Sequence, residues 1–241
     1  MKRSFPILAA VAAVAAGGWF ALGGTDTANS TTFSPLVSAA NAQTTEAAEI
    51  DTSTIKEMTL GNADSKVQMI EYASYTCPHC AAFDQGPYKQ LKAEYIDTDK
   101  IGFTYREVYF DRYGLWASMV ARCGEEDKFF GITDLIYAGQ SEWVRAGEPA
   151  AIVGELRKIG RLAGIDNDTL EACLQDSEKA QTLVAWWEEN QKADDINSTP
   201  SFIINGKKYS NMPYAEMKGI LDAALEAGAD TGRPLGRPDT F

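Results

Sequence analysis

The stretch that decides the fold is KVQMIEYASYTCPHC, residues 66–80. Its first part, Lys66 to Ala73, is apolar enough to be a central strand of a sheet. It runs through Ser74-Tyr75-Thr76 into Cys77-Pro78-His79-Cys80, and Pro78 is favoured at the first position of a helix. The two cysteines therefore sit where a strand meets a helix N-terminus. The first N–H groups of that helix lack partners and point at Cys77. The helix dipole adds positive potential there. His79, the only histidine in the chain, adds more when protonated. All three effects favour the thiolate, which is the reactive species. Cys80, one turn further in, should be more buried and act as the resolving thiol. Stabilising the thiolate stabilises the reduced pair, so a disulfide here should be a good oxidant. Two other readings compete. One is half of a zinc site, but structural zinc takes about four ligands and the chain has no second CxxC and no other His. No metal is therefore assigned. The other is a plain structural disulfide.

Outward from this stretch, Glu57 to Leu60 is a weak strand candidate and Ile101 to Phe110 a stronger one. Phe83, Leu91 and Tyr95 fall near helical spacing, with Pro87 inside the pattern, where it should kink the helix. From Arg112 to about Asp194 the period becomes helical. The stripes are Trp116, Met119, Val120 and Cys123; Ile152, Leu156, Ile159 and Ala163; Leu170, Cys173 and Leu174; and Leu183, Trp186 and Trp187. Ser201 to Ile204, an Asn205-Gly206 turn and Lys207 to Ser210 make a hairpin. A last amphipathic helix follows Pro213, with Met217, Ile220, Leu221 and Ala224 on one face. The order is strand, helix, strand, helical block, hairpin, helix. A strand–helix–strand unit usually forms a right-handed parallel crossover, and the block between the halves is large enough to be a subdomain.

The chain has 241 residues, which suits one domain or one domain carrying an insertion. Ten Phe, ten Tyr and five Trp among 45% apolar residues allow a sizeable core. A net charge of −12 argues against nucleic acid, whose phosphates need clustered Lys and Arg. Lys2 and Arg3 precede an uncharged apolar stretch from Phe5 to Leu22, the pattern of an export signal. Small residues at Ala40-Asn41-Ala42 offer a cleavage site, and residues 5–22 could instead stay as a membrane anchor. Either way the body lies outside the cytoplasm, where disulfides persist. Residues 25–50 read as a flexible spacer and 228–241 as a loosely ordered tail.

Cys77-Pro78-His79-Cys80, joined at this separation to Thr199-Pro200-Ser201-Phe202-Ile203-Ile204-Asn205-Gly206, resembles the DsbA family of thioredoxin-fold disulfide oxidoreductases. The likeness covers roughly Lys66 to Ala227. It implies an α/β, thioredoxin-like fold with an inserted helical subdomain. The segments would be a leader over 1–24, the spacer, fold halves at 51–111 and 195–227 around an insertion at 112–194, and the tail. It implies that Pro200 is the cis-proline packed against the active-site cysteines, and that the backbone of Thr199 pairs with an extended substrate segment as an added strand. Glu71, six residues before Cys77, looks like the family's buried acid, a proton relay; its other reading is a strand residue without a role. Cys123 and Cys173 depart from the simplest members. They are either two buried free thiols or, in an oxidising compartment, a structural disulfide tying two helices of the insertion together.

The leading function is thus a periplasmic dithiol oxidase, soluble or tethered to the inner membrane, that introduces disulfides into reduced, unfolded exported proteins. The resemblance alone supplies its recharging partner, a quinone-linked membrane oxidase. No further cofactor is called for. A reductase or isomerase on the same fold is the alternative, though residues 43–65 are too short for an N-terminal dimerisation domain. A copper metallochaperone using the CxxC pair as soft ligands is the reading from another class. It would be expected to add a His or Met ligand, and none of the six Met lies in the motif.

Overall fold

A computed structural model describes residues 50–124 and 126–230. The leader, nearly all of the spacer, and the tail beyond residue 230 lie outside the described residues. So does the choice between signal peptide and anchor.

The strands are β1 (Met58–Gly61), β2 (Gln68–Ala73), β3 (Gly102–Glu107), β4 (Ser201–Ile204) and β5 (Lys207–Ser210). They form one sheet in the order β1-β3-β2-β4-β5. β2 is the middle strand, parallel to β3 and antiparallel to β4. That position accounts for its apolar composition, since both faces of a central strand are covered. Met69 and Ala73 enter the main core with Phe103, Tyr105 and Phe202. On the other face Tyr72 packs with Val108, Ile196 and Ile203. β4 and β5 are joined through Asn205 and Gly206, at φ 47° and 79°. Positive φ at both central residues is what a tight hairpin turn of matching twist requires.

α1 (Pro78–Phe83) leaves the end of β2 after a short loop and leads back to β3. It continues through a π-helical turn at Asp84–Tyr88, the single turn α2 (Lys89–Leu91), and a second π-helical turn at Lys92–Ile96. Pro87 lies inside the first of these wide turns. Proline has no N–H to give and crowds the carbonyl one turn back. Here the helix relieves that crowding by widening. Phe83, Leu91, Tyr95 and Ile96 remain buried, and the widened turn also carries Asp84 inward, 6% exposed.

The helical segment comprises α3 (Arg112–Ala121), α4 (Phe129–Ala138), α5 (Gln140–Trp143), α6 (Pro149–Leu162), α7 (Asn167–Gln175) and α8 (Ser177–Ala193). Many of its buried side chains join the core of the sheet, and Met119 and Leu183 form a smaller cluster with Tyr109. Ala117, Phe129, Ile136, Leu156 and Leu170 belong to the same buried cluster as the sheet residues Phe103 and Tyr105. A buried ion pair fastens the two parts. Arg122 donates from Nε to Glu107 Oε1 (2.6 Å) and from Nη2 to Oε2 (2.7 Å). Its guanidinium also lies over the rings of Phe129 and Trp186, at 5.4 and 5.3 Å.

Two sequence expectations shift here. Cys123 is not on a helical stripe, because α3 ends at Ala121 and Cys123 lies in the following turn. α9 (Tyr214–Asp230) continues past Gly228, so the residues from 228 to 230 are helical rather than loosely ordered. Cys123 and Cys173 are disulfide-bonded, with S–S 2.13 Å and Cα–Cα 5.7 Å. The bond joins the turn after α3 to α7. No helix among the described residues is long and apolar enough to cross a membrane.

The bridge closes a loop with a sequence separation of 50 residues. Replacing both cysteines by serine should lower unfolding stability by up to about 4 kcal/mol, the chain-entropy limit for such a loop. Denaturant titration of the double variant checks this. An unchanged midpoint would mean that the bond does not stabilise the fold.

Candidate active site

The geometry of the Cys77-Pro78-His79-Cys80 segment starts from the break between β2 and α1. Cys77 is the N-cap of α1, in extended conformation (φ −83°, ψ 118°), with Pro78 next. Its carbonyl accepts from the N–H groups of Cys80 and Ala81, both at 3.1 Å. Its own N–H donates to Ser74 O at 3.0 Å. Pro78 and His79 are exposed on the outer rim, while Cys77 is 8% and Cys80 0% exposed. The two thiols are free.

The loop beneath them is clamped from the helical segment at two points. Gln140, 7% exposed, donates from Nε2 to the carbonyls of Tyr75 and Cys77, at 2.8 Å each. Asp111 caps α3 by accepting from the N–H groups of Tyr113 and Gly114, and its Oδ2 accepts from Thr76 Oγ1 at 2.9 Å. The sequence reading assigned neither residue. Asp111 carries a detectable signal, an acceptor just before a helical period. Gln140 carries none, because a lone Gln opening a short helix has no motif.

The Thr199–Pro200 peptide is cis. It precedes β4 and brings Thr199 against the first cysteine, where Cys77 Sγ donates to Thr199 O at 3.5 Å. The Thr199 hydroxyl is buried without a hydrogen-bond partner. A groove of about 340 Å³ runs past His79, between Phe83 and Pro87 on one side and Met212 and Pro213 on the other.

The two sulfurs are driven in opposite directions. The Cys77 pKa is lowered to about 5, first by the thiol of Cys80 hydrogen-bonded to it, then by Thr199 and the N–H groups of Cys80 and His79. Burial pushes the Cys80 thiol far up, and a thiolate at Cys77 pushes it further. The structure thus adds a donor that the helix-terminus argument omitted, the second cysteine itself.

Glu71 lies on β2 below this pair, 3% exposed, with Tyr105 and Phe202 as its partners on the flanking strands. Burial, and then the nearby Asp84 carboxylate, hold its pKa well above the usual range. Tyr105 and Tyr137 share a hydrogen bond at 2.7 Å in the same layer. The phenol of Tyr137 is raised by burial and by the charges of both Cys80 and Glu71. Glu71 and Cys80 therefore lie within electrostatic reach of one ring. Cys123 and Cys173 stand apart, beyond the opposite end of α3 from Asp111.

A family model described as Thioredoxin matches residues 53–223. A putative protein-disulfide oxidoreductase of Rickettsia bellii is 36% identical over 171 residues, which is 70% of this chain and 65% of that relative. The chain thus spans less than two thirds of that relative's length. Disulfide bond formation protein D of Bacillus subtilis is 26% identical over 178 residues, 69% of this chain and 76% of that protein. In fold, the crystal structure of Wolbachia pipientis alpha-DsbA1 is similar at TM-score 0.67 and 22% identity, covering 74% of this chain and 95% of that one. A protein-disulfide isomerase from Novosphingobium aromaticivorans is similar at TM-score 0.64 and 25% identity, over 70% and 97%.

Two measurements follow from the site. Thiolate absorbance of the reduced protein should titrate near the Cys77 pKa of about 5, and Cys80→Ala should move that titration upward by removing the foremost donor. Because the folded pKa is depressed, the ionised thiol stabilises the reduced fold most above the pKa of a free thiol. That stability should be lost as pH falls from there through about 5. An unmoved titration in Cys80→Ala would refute the assignment of cause. Gln140→Ala should cost about 1–3 kcal/mol by leaving the buried Tyr75 carbonyl without its donor, as read from denaturant unfolding.

Proposed function

Because this chain belongs to the thioredoxin family and carries its fold in the DsbA-like form, we propose that it is a protein disulfide oxidase for exported polypeptides. The observation that carries the reading is the opposed pair, with Cys77 lowered to about 5 at the rim and Cys80 raised and fully buried. Such a pair favours the reduced state, so its disulfide readily accepts electrons.

In the reaction, a client thiolate attacks Cys77 Sγ of the Cys77–Cys80 disulfide. The S–S bond breaks and its electron pair stays on Cys80 Sγ, which takes up a proton. The client's second thiolate then attacks the client sulfur of the mixed disulfide and releases Cys77 as a thiolate. One client dithiol loses two electrons and two protons. The protein holds both electrons and one proton, as Cys77 thiolate and Cys80 thiol, and the second proton goes to solvent. Pro78 fixes the first turn of the helix, and His79, exposed beside the sulfur, adds positive charge when protonated. Thr199, next to cis Pro200, offers main-chain groups to an extended client, and the groove along Phe83 and Met212 receives apolar side chains. Glu71 acts as the proton relay for Cys80.

The export pattern of residues 1–24 and the Cys123–Cys173 bond support a location outside the cytoplasm, in the periplasm, with the protein either soluble or tethered through residues 5–22. In this reading the second disulfide is structural. The reduced pair is recharged by a disulfide-donating membrane oxidase linked to quinone, a partner that rests on family likeness. A reductase or isomerase role is separated by the reduction potential of Cys77–Cys80, which an oxidase sets high.

Cys77→Ser should abolish oxidation of a reduced, unfolded client. Cys80→Ser should accumulate a mixed disulfide through Cys77, because no resolving thiol remains. Non-reducing electrophoresis and mass spectrometry read both outcomes. Normal turnover by the Cys80 variant would reverse the assignment of nucleophile and resolving thiol.

A further inference from the structure

Glu71 has a supply problem. It sits on the middle strand between Tyr105 and Phe202, 3% exposed. A carboxyl so enclosed can protonate Cys80 once. To do so in every cycle it must regain its proton from a group nearer to water.

Asp84 is placed for that exchange. The ring of Phe202, Glu71's neighbour on β4, packs on Phe83 at 4.8 Å, so the end of α1 lies over Glu71. The next residue is Asp84, turned inward by the π-helical turn. Charged and titratable groups face it from several elements. Glu71 approaches from β2, Asp134 from α4, Lys89 from α2, and Tyr88 from its own turn. Its link to the surface runs through Gln85. Gln85 Nε2 donates to Asp84 Oδ1 at 2.7 Å and to Asp134 Oδ1 at 3.2 Å. Asp134, whose side chain is half exposed, pairs with Lys89 Nζ at 3.5 Å. A cleft of about 360 Å³ opens alongside, lined by Tyr88, Lys89, Phe130 and Asp134. At its inner wall the Tyr88 hydroxyl is buried without a partner.

We propose that Asp84 is a second proton carrier beneath the cysteine pair, the group through which Glu71 exchanges protons with solvent at the Gln85–Asp134 edge. This rests on the oxidase reading of Cys77 and Cys80 and deepens it. When the Cys77–Cys80 bond breaks, Cys80 takes the proton of Glu71, Glu71 takes that of Asp84, and Asp84 takes one from water. During recharging by a disulfide the path reverses. Cys80 gives its proton to Glu71, Glu71 to Asp84 and Asp84 to water. The Cys80 thiolate then attacks Cys77 Sγ of the mixed disulfide, and the oxidant's sulfur leaves with the electron pair. The titration of Asp84 suits this task. Burial, helped by Asp134, raises it to about 7 against the lowering by Gln85 and Lys89, and a carrier works best near the ambient pH. The Asp84 carboxylate also raises Glu71, so Glu71 retains a proton to hand on.

The test uses the full reduced chain with oxidised glutathione, between about pH 5 and pH 9 around the carrier's range. Rapid mixing separates formation of the mixed disulfide at Cys77 from its resolution by Cys80. Asp84→Asn should leave the first step unchanged and slow the second about tenfold at neutral pH, a modest share of what general acid–base groups contribute. It should also flatten the bend that the wild-type second step shows near neutrality. Asp84→Glu should restore both rate and bend. A wild-type second step in Asp84→Asn, or equal slowing of both steps with a lowered melting temperature, would overturn the carrier. Failure of the wild-type chain to form any mixed disulfide at Cys77 would overturn the oxidase reading, and the carrier with it.

Discussion

At the mouth of α1 the thiol of Cys80 donates towards the sulfur of Cys77, and that contact is the foremost cause of the Cys77 shift, while burial comes first for Cys80. The contact lowers Cys77 and raises Cys80. The contact requires one sulfur at the rim and one in the interior on a single helical turn. An N-cap cysteine with proline behind it supplies that geometry. The rest of the molecule keeps this turn fixed over a buried floor.

The floor is the middle of the sheet. β2 places Glu71 in register with Tyr105 and Phe202, so a row running across three strands lies under the helix that carries the cysteines. The Glu107–Arg122 pair fastens the end of β3 to the turn after α3. Removing either partner would leave a buried charge uncompensated, which is far costlier than losing a surface ion pair. The charges within the core therefore divide into two kinds. Glu107 is matched by a cation. Glu71 and Asp84 are held towards their neutral forms, chiefly by burial, against only a weak pull of Lys89 on Asp84.

The strand at residues 66–73, the hairpin and the helix starting at Pro78 were legible because each has a local signature. A central strand is apolar throughout, Asn-Gly makes a tight turn, and proline opens helices. What was not legible depends on tertiary context. Pro87 predicts a disturbance of the helix, but not that the disturbance is a widened turn carrying Asp84 inside. Gln140 clamps the cysteine loop from 63 positions away, and no spacing rule connects a single amide to a distant carbonyl. Cys123 was read on a helical stripe because the period runs on past the point where α3 ends. The share of the Cys77 shift due to Cys80 also escaped the sequence, since it depends on how deeply the second sulfur lies.

The clamp by Gln140 has a consequence for cooperativity. Gln140 opens the short helix α5, yet both of its donated bonds end on the loop of the reacting sulfur. From the start of α3, Asp111 accepts from Thr76 of the same loop. The helical segment therefore cannot open locally and leave a competent dithiol behind. Sub-global opening free energies normally vary across a structure, and binding loops tend to occupy the weak end. Here the loop of a reactive cysteine is tied to α3 and α5, so its opening is coupled to theirs.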